Sequence, residues 1–282
     1  MTDRVSVPAD RAQPPAIRSG FVATHPVTRM VDHVMGIPIS LALRGPSAGT
    51  AAAQDAFARV MSELRQVDEV FSTYRPDSMI NRLGRGEIKL ADCPADVLEV
   101  FALAEEAEED SSGAFSIWLT GADGTTRLDP SGVVKGWAVE RVSRHLTSLS
   151  RTDFCLSAGG DMVCWVSEPG RPKWRVGIED PQDPRRLIST ISIGGGAVAT
   201  SAATHRGDHI VDARTGMPPS DVASVTVIGR SLTVVDICAT AAYAHGPHAA
   251  NWLKRRRDVT GLVVWADGTT TAIPCGRSEV GA

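Results

Sequence analysis

Between Ala51 and Phe71, apolar residues recur at helical spacing. Phe57, Val60, Met61, Leu64, Val67 and Phe71 fall on one face, which predicts an amphipathic helix. It runs into Ser72-Thr73-Tyr74-Arg75-Pro76-Asp77-Ser78, where Pro76 breaks the helical pattern. Asp77 or Ser78 can then cap a short helix through Met79, Ile80 and Leu83. A second, acidic helix is predicted from Pro94 to about Asp110, stopping near Gly113, and a third from Lys135 to Leu149, entered through the Gly132 and Gly136 region. Val31 to Leu43 reads as a strand carrying a Met35-Gly36 pair. From Phe154 onward the pattern turns to strands broken by Gly, Pro and Asp: Phe154 to Ser157, Met162 to Val166, Trp174 to Ile178, Leu187 to Ile193 and Ala197 to Thr200. Val222 to Ile228 is a further strand, followed by a helix from Ser231 to His245. A closing hairpin then pairs Leu262 to Trp265 with Thr269 to Ile273 around Asp267-Gly268.

Long helices with clustered antiparallel strands, and no regular βαβ alternation, predict an α+β fold rather than a doubly wound sheet. Residues 1–28 read as a flexible arm, 29–276 as one domain and 277–282 as a tail. No repeat of fixed period is visible.

The chain has 282 residues, 43% hydrophobic and 22% charged, enough for a full-sized core without disulfides. A net charge of −4 argues against a nucleic-acid or anionic-membrane partner recognised through bulk charge. The one basic run, Lys254-Arg255-Arg256-Arg257, falls at a helix end, where cations complement the dipole. Five cysteines form no C-x-x-C pair, and Cys155 and Cys164 lie in apolar strand-like runs, as buried free thiols do. This usage predicts a reducing, cytoplasmic setting without a zinc site. No apolar leader or stretch of membrane-spanning length is visible.

The candidate chemistry lies mostly in the C-terminal third. Asp236 and Thr240 stand at i and i+4 of a predicted helix and therefore share a face. Hard oxygen ligands presented this way suit Mg²⁺, which completes its shell with water and phosphate oxygens. His209-Ile210-Val211-Asp212-Ala213-Arg214-Thr215-Gly216 places an imidazole, a carboxylate and a guanidinium in one short turn, where His209 is either a general base or a structural residue. Ser157-Ala158-Gly159-Gly160-Asp161 allows close backbone approach to a phosphate or ribose, or is a plain hairpin turn. Asp129-Pro130-Ser131-Gly132-Val133-Val134-Lys135-Gly136 feeds a helix N-terminus and is either an anion site or a simple cap; it lacks the Walker A spacing. Tyr74 can stack on a planar ring or pack in the core.

Taken in order, these segments resemble the ApbE family of FAD:protein FMN transferases. The resemblance is carried by Met35-Gly36, Phe71 to Ile80, Gly113-Ala114-Phe115, Asp129 to Glu140, Gly159-Gly160-Asp161, Trp174 to Ile178, Ala197 to Ser201, His209 to Gly216 and Asp236 to Thr240. It implies a T-fold-like α+β architecture with mostly antiparallel strands, binding FAD in a cleft with Mg²⁺ at its diphosphate. By the same resemblance, Met35 and Tyr74 match positions flanking the isoalloxazine. Ala114, Phe115, Asp129, Lys135 and Ile210 match further FAD contacts, and Gly159, Gly160, Asp161 and Thr200 complete the cofactor set. The metal position maps onto the Gly132 carbonyl, Asp236 and Thr240. The implied reaction moves FMN from FAD to a Ser or Thr hydroxyl of a target flavoprotein and releases AMP, with His209 as base and Asp212 orienting it. Five features depart from the family pattern: Ser116-Ile117 stand where Asp-Pro is usual, Pro130-Ser131 where Leu-Gly is frequent, Ala213 where Pro is frequent and Ile237-Cys238 where a small residue and Leu are usual, and the segment between Ser201 and His209 is short. Two other readings use the same residues: a metal-dependent FAD diphosphatase, and an FAD-binding protein without turnover.

Overall fold

The computed structural model describes residues 26–121, 124–203 and 210–275. Residues 1–25 of the arm expected over 1–28, His209 and the tail at 277–282 lie outside the described residues. The fold is α+β. Its centre is an eight-stranded sheet in the order β1-β2-β5-β6-β9-β10-β11-β12, with every neighbouring pair antiparallel. These strands are β1 (Thr28–Val34), β2 (Ile37–Arg44), β5 (Asp153–Ala158), β6 (Asp161–Trp165), β9 (Gly195–Ala202), β10 (Val222–Gly229), β11 (Thr260–Trp265) and β12 (Thr270–Ile273). Two hairpins stand apart: β3 (Trp118–Thr120) with β4 (Thr126–Leu128), and β7 (Trp174–Asp180) with β8 (Asp183–Ile193).

Strand alternation decides which face is covered. Ile39, Leu41 and Leu43 of β2 and Phe154, Leu156 and Ala158 of β5 point to one side and are buried. They join the apolar face of α1 (Ala51–Phe71) and the buried residues of α3 (Ala95–Asp110), α4 (Ser131–Ser143), α5 (Leu232–Ala244) and α6 (Ala249–Leu253) in one core. On the opposite side, Cys164, Val176, Ile193 and Val198 form a small second core under the β7–β8 hairpin.

The predicted α1 has the observed bounds, its N-terminus capped by Thr50, whose side chain accepts from the Ala53 amide. Ser78 rather than Asp77 caps the short helix α2 (Met79–Gly84), accepting from the Asn81 amide. The single strand expected from Val31 to Leu43 is instead a hairpin. Met35 and Gly36 both have positive φ (55° and 69°), and Val34 faces Ile37 across a two-residue turn that matches strand twist. The helix expected from Lys135 begins four residues earlier, at Ser131. Asp129 Oδ1 accepts from the Ser131 amide at 3.2 Å, so the first turn starts there and takes in Gly132. No helix among the described residues is long and apolar enough to cross a membrane.

The base of the β7–β8 hairpin is tied to the large sheet by Asp153, which is only 1% exposed. Its carboxylate accepts from Arg44 Nε at 2.8 Å and from both the amide and the hydroxyl of Ser167 at 2.8 Å, while Arg44 also lies 4.3 Å over the Trp174 ring. Burial alone would raise this carboxyl, but the Ser167 hydrogen bonds and the Arg44 guanidinium outweigh it and hold Asp153 below its ordinary value. A depressed folded pKa gives stability that is fully present above about pH 4 and is lost as pH falls through the folded value. Asp153→Asn is therefore expected to melt below the parent at neutral pH, by about 1–3 kcal/mol, because Arg44 loses its carboxylate but keeps the Pro172 carbonyl. The gap should narrow on acidification below about pH 4. Thermal unfolding of both proteins across that range tests it; a gap independent of pH would contradict the ionic account.

Candidate functional site

A cavity of about 690 Å³ opens where the helical layer meets the sheet. Its walls come from Gly36 and Ile37 at the β1–β2 turn, Phe115 and Ser116, the Gly159-Gly160 turn, Thr200 and Ser201 of β9, and Ile210. Gly132 and Lys135 of α4 and Asp236 and Thr240 of α5 complete the helical side. Ile178, Glu179, Asp180 and Pro181 of the β7–β8 hairpin form a further wall, which the sequence reading did not anticipate.

The floor is set by how α4 and α5 meet. A Cβ built on Gly136 would stand 2.8 Å from both Asp236 Cβ and the Leu232 carbonyl oxygen, and one on Gly132 would stand 3.6 Å from Thr240 Cγ2. The small pair Gly132/Gly136 on α4 thus faces the oxygen-bearing pair Asp236/Thr240 on α5, each at i and i+4. Only glycine lets the helices approach this closely. Thr240 and Ser201 hydroxyls share a hydrogen bond of 3.2 Å, which aims Thr240 along the cavity side of its helix.

Lys135 binds two carboxylates here. Its Nζ pairs with Asp161 Oδ2 and, at 3.3 Å, with Asp236 Oδ1. Asp161 opens β6 directly after the Gly159-Gly160 turn and accepts from the Thr200 amide at 2.8 Å through its other oxygen. Both aspartates are about 1% exposed. Burial is the largest influence on Asp236 and pushes it up to about 7; Asp161 adds to the rise and Lys135 opposes it. For Lys135, burial works to lower the ammonium, but Asp236 and Asp161 outweigh it and keep it charged. Asp236 Oδ2 is sealed from solvent and has no hydrogen-bond partner, while the Gly136 amide helps to hold the carboxyl down.

Two buried carboxylates against one ammonium leave a charge deficit: Asp161 Oδ2 has only its ion pair with Lys135, and Asp236 Oδ2 has no hydrogen-bond partner. Such groups are stable when a cation or further donor completes them. Asp236, Thr240 and the adjacent Gly132 carbonyl are hard oxygen donors on one wall of the cavity, so the residues present fit a small hard cation whose shell water and phosphate oxygens would complete. No cluster of three or more His, Cys, Asp or Glu that could hold a metal ion exists among the described residues.

Other expected residues sit at the margin. Ala114 is fully buried, and its carbonyl accepts from the Ala213 amide at 3.0 Å, joining the loop before β3 to the Asp212–Gly216 turn. Within that turn Arg214 grips the Asp212 carboxylate through Nε at 2.8 Å and Nη2 at 2.7 Å. Burial would raise Asp212, but Arg214 outweighs it and holds the carboxyl low, so it stays ionised. Asp129 lines the cavity edge beside the α4 N-terminus. Met35, at the β1–β2 turn, and Tyr74 lie outside the cavity lining, and the Tyr74 residue is 95% exposed, which excludes a core role. Cavity lining thus brings together ten of the expected positions: Phe115, Asp129, Gly132, Lys135, Gly159, Gly160, Thr200, Ile210, Asp236 and Thr240. Asp161 joins them through Lys135.

A family model described as the ApbE family matches residues 35–122 and 118–263. The chain belongs to the ApbE family. Among curated ApbE relatives, a FAD:protein FMN transferase of Vibrio cholerae is 33% identical over 130 residues, covering 42% of this chain and 39% of that protein. One of the same name from Rhodobacter capsulatus is 25% identical over 207 residues, covering 68% and 39%. These matches span about four-tenths of the relatives' length. In fold, the chain superposes on the ApbE protein of Thermotoga maritima with a TM-score of 0.75 at 18% identity, over 90% of this chain and all of that one. It also superposes on the flavinyl transferase ApbE of Pseudomonas stutzeri with a TM-score of 0.74 at 22% identity, over 90% and 98%. The T-fold-like ApbE architecture is therefore the fold of this chain.

Proposed function

We propose that this ApbE protein transfers FMN from FAD to a Ser or Thr hydroxyl of a target flavoprotein, in a Mg²⁺-dependent reaction that releases AMP. The observation that carries the reading is the buried Asp161–Lys135–Asp236 group on the cavity floor, with Thr240 and Gly132 beside it. It has the charge and oxygen chemistry to hold a dication against a diphosphate. The names of the curated relatives support it.

The acceptor hydroxyl oxygen attacks the phosphorus of the FMN half. A new P–O bond forms, the bond to the AMP phosphate oxygen breaks, and AMP leaves with that electron pair. Bound Mg²⁺ supplies charge neutralisation at the diphosphate. Asp236, Thr240 and the Gly132 carbonyl would hold it. Phosphoryl transfer requires mostly positioning and fixed charge, and Lys135 adds a permanent positive charge at the same wall. His209, outside the described residues, is assigned as the base that takes the hydroxyl proton, with Asp212 orienting it. The exposed Tyr74 ring is assigned to stacking on the flavin. Tyr74→Ala is expected to weaken flavin binding by roughly 1–3 kcal/mol, as for other aromatic–base stacks, with an unchanged melting temperature. Fluorescence titration and thermal unfolding test this together; a lower melting temperature with unaltered affinity would contradict it.

Product analysis separates the proposal from its rivals. With FAD, Mg²⁺ and an acceptor protein, AMP should appear in step with covalent flavin. Free FMN with AMP in the absence of acceptor would make the protein a diphosphatase, and intact FAD would leave it a binding protein.

A further inference from the structure

We propose that Cys155 and Cys164 form an oxidisable dithiol, a modification site that hydroperoxides convert to an intrachain disulfide. The two residues face each other across β5 and β6, and the Cys164 thiol donates to Cys155 Sγ at 3.5 Å. All five cysteines are free thiols.

The register explains the proximity. The two-residue turn Gly159-Gly160 closes on the Ala158–Asp161 pair. Pairs alternate outward from such a turn between hydrogen-bonded and non-hydrogen-bonded positions, which makes Cys155–Cys164 a non-hydrogen-bonded pair. There the Cα atoms lie about 4.5 Å apart and side chains approach most closely, a spacing inside the range that disulfides span. The flanking positions in the same row are small, Ala42 on β2 and Gly196 on β9, so the sulfurs can turn toward each other without displacing a large neighbour.

The two thiols are not equivalent. Cys164 is 1% exposed and packs with Val176 and Ile193 under the β7–β8 hairpin, whereas Cys155 is half-buried, with Met162 Sδ at 3.9 Å. Accepting the Cys164 hydrogen bond favours the Cys155 thiolate, the more reactive form. Cys155 is thus the peroxide-facing sulfur and Cys164 the resolving one. Attack of Cys155 on the peroxide gives a sulfenic acid and water. Cys164 sulfur then attacks Cys155 sulfur and expels the sulfenic oxygen as a second water. In sum, two thiols and one hydroperoxide (as H₂O₂) yield one disulfide and two waters, with the thiols oxidised and the peroxide reduced.

The test uses the full chain carrying Cys275→Ser, which removes the exposed thiol. It is treated with hydrogen peroxide, alkylated and digested with trypsin. No Lys or Arg stands between Arg151 and Arg171, so both thiols fall on one peptide. That peptide should lose two hydrogens and resist alkylation, and dithiothreitol should restore both. In a Cys164→Ser version, whose hydroxyl can still donate to Cys155 but cannot form a disulfide, oxidation should stop at a Cys155 sulfenic acid trapped by dimedone. Full alkylation of both cysteines after peroxide, or irreversible oxidation of Cys155 in the parent, would overturn the proposal. Neither readout depends on FMN transfer.

Discussion

Asp236→Asn is expected to abolish FMN transfer while leaving the fold intact. The carboxylate sits inside an apolar helix whose Val235, Cys238 and Ala239 are buried, and burial pushes its pKa up to about 7. An aspartate in that position is poorly served by helix propensity and costly to ionise. Lys135, at 3.3 Å and shared with Asp161, meets only part of that cost, and a dication would offset the rest. Asparagine keeps the shape and removes the charge. Lys135 retains Asp161, so no buried ammonium is left alone. Losing the dication's several kcal/mol of charge stabilisation corresponds to a rate loss of roughly 10³-fold or more. Circular dichroism should be unchanged, and FAD binding should lose its dependence on Mg²⁺. Full activity of the variant at limiting Mg²⁺ would remove Asp236 from the metal site.

Gly136→Ala should damage the same site from the opposite helix. The added methyl would meet Asp236 Cβ and the Leu232 carbonyl oxygen at 2.8 Å and Asp236 Oδ2 at 3.0 Å. The Leu232 carbonyl is backbone and cannot rotate aside, so α5 must shift as a unit and carry Asp236 and Thr240 with it. Overpacking of this kind costs about 1–3 kcal/mol, and the better helix propensity of alanine returns about 1 kcal/mol. Melting should therefore fall modestly, whereas Mg²⁺-dependent FAD binding should be lost. Gly132→Ala makes its closest contact, 2.9 Å, with the edge of the buried Phe115 ring, a side chain rather than backbone, and should be milder. A Gly136→Ala protein that melts higher and binds FAD normally would show that propensity outweighs the helix contact.

Much of this frame was legible in the chain. The α1 stripe from Phe57 to Phe71 marks its helix because the period persists over about four turns, and Asp77-Ser78 mark the next helix because either side chain can cap it. The Asp236/Thr240 pair is readable because helix geometry alone puts i and i+4 on one face. What escaped depends on distant partners or on unusual turn chemistry. Met35-Gly36 lacks the Asn-Gly or Asp-Gly signature of a two-residue turn, and Met35 adopts positive φ, so the β1–β2 hairpin reads as one strand. The β3–β4 hairpin has strands of three residues each, too short for periodicity to register. Lys135 reads as an anion-binding lysine, yet its own partners are Asp161 and Asp236, far off in sequence and joined only when α4 crosses α5 beside β6. The Gly132/Gly136 spacing was in view, but a small face on one helix has meaning only opposite the helix it meets. Likewise, the β7–β8 wall of the cavity comes from how that hairpin folds back, which no local pattern encodes.

The central claim is that one cavity, floored by Asp161, Lys135 and Asp236, moves FMN from FAD onto a protein hydroxyl. Intact-mass analysis of an acceptor protein tests it most directly. The acceptor is incubated with FAD and Mg²⁺ together with either the parent enzyme or Asp236→Asn, and its reactive Ser or Thr is replaced by Ala in a parallel sample. The expected result is a gain of one FMN less water on the hydroxyl-bearing acceptor, with the parent enzyme alone. An acceptor of unchanged mass while FAD is consumed to free FMN and AMP, or an equal gain with Asp236→Asn, would contradict the account.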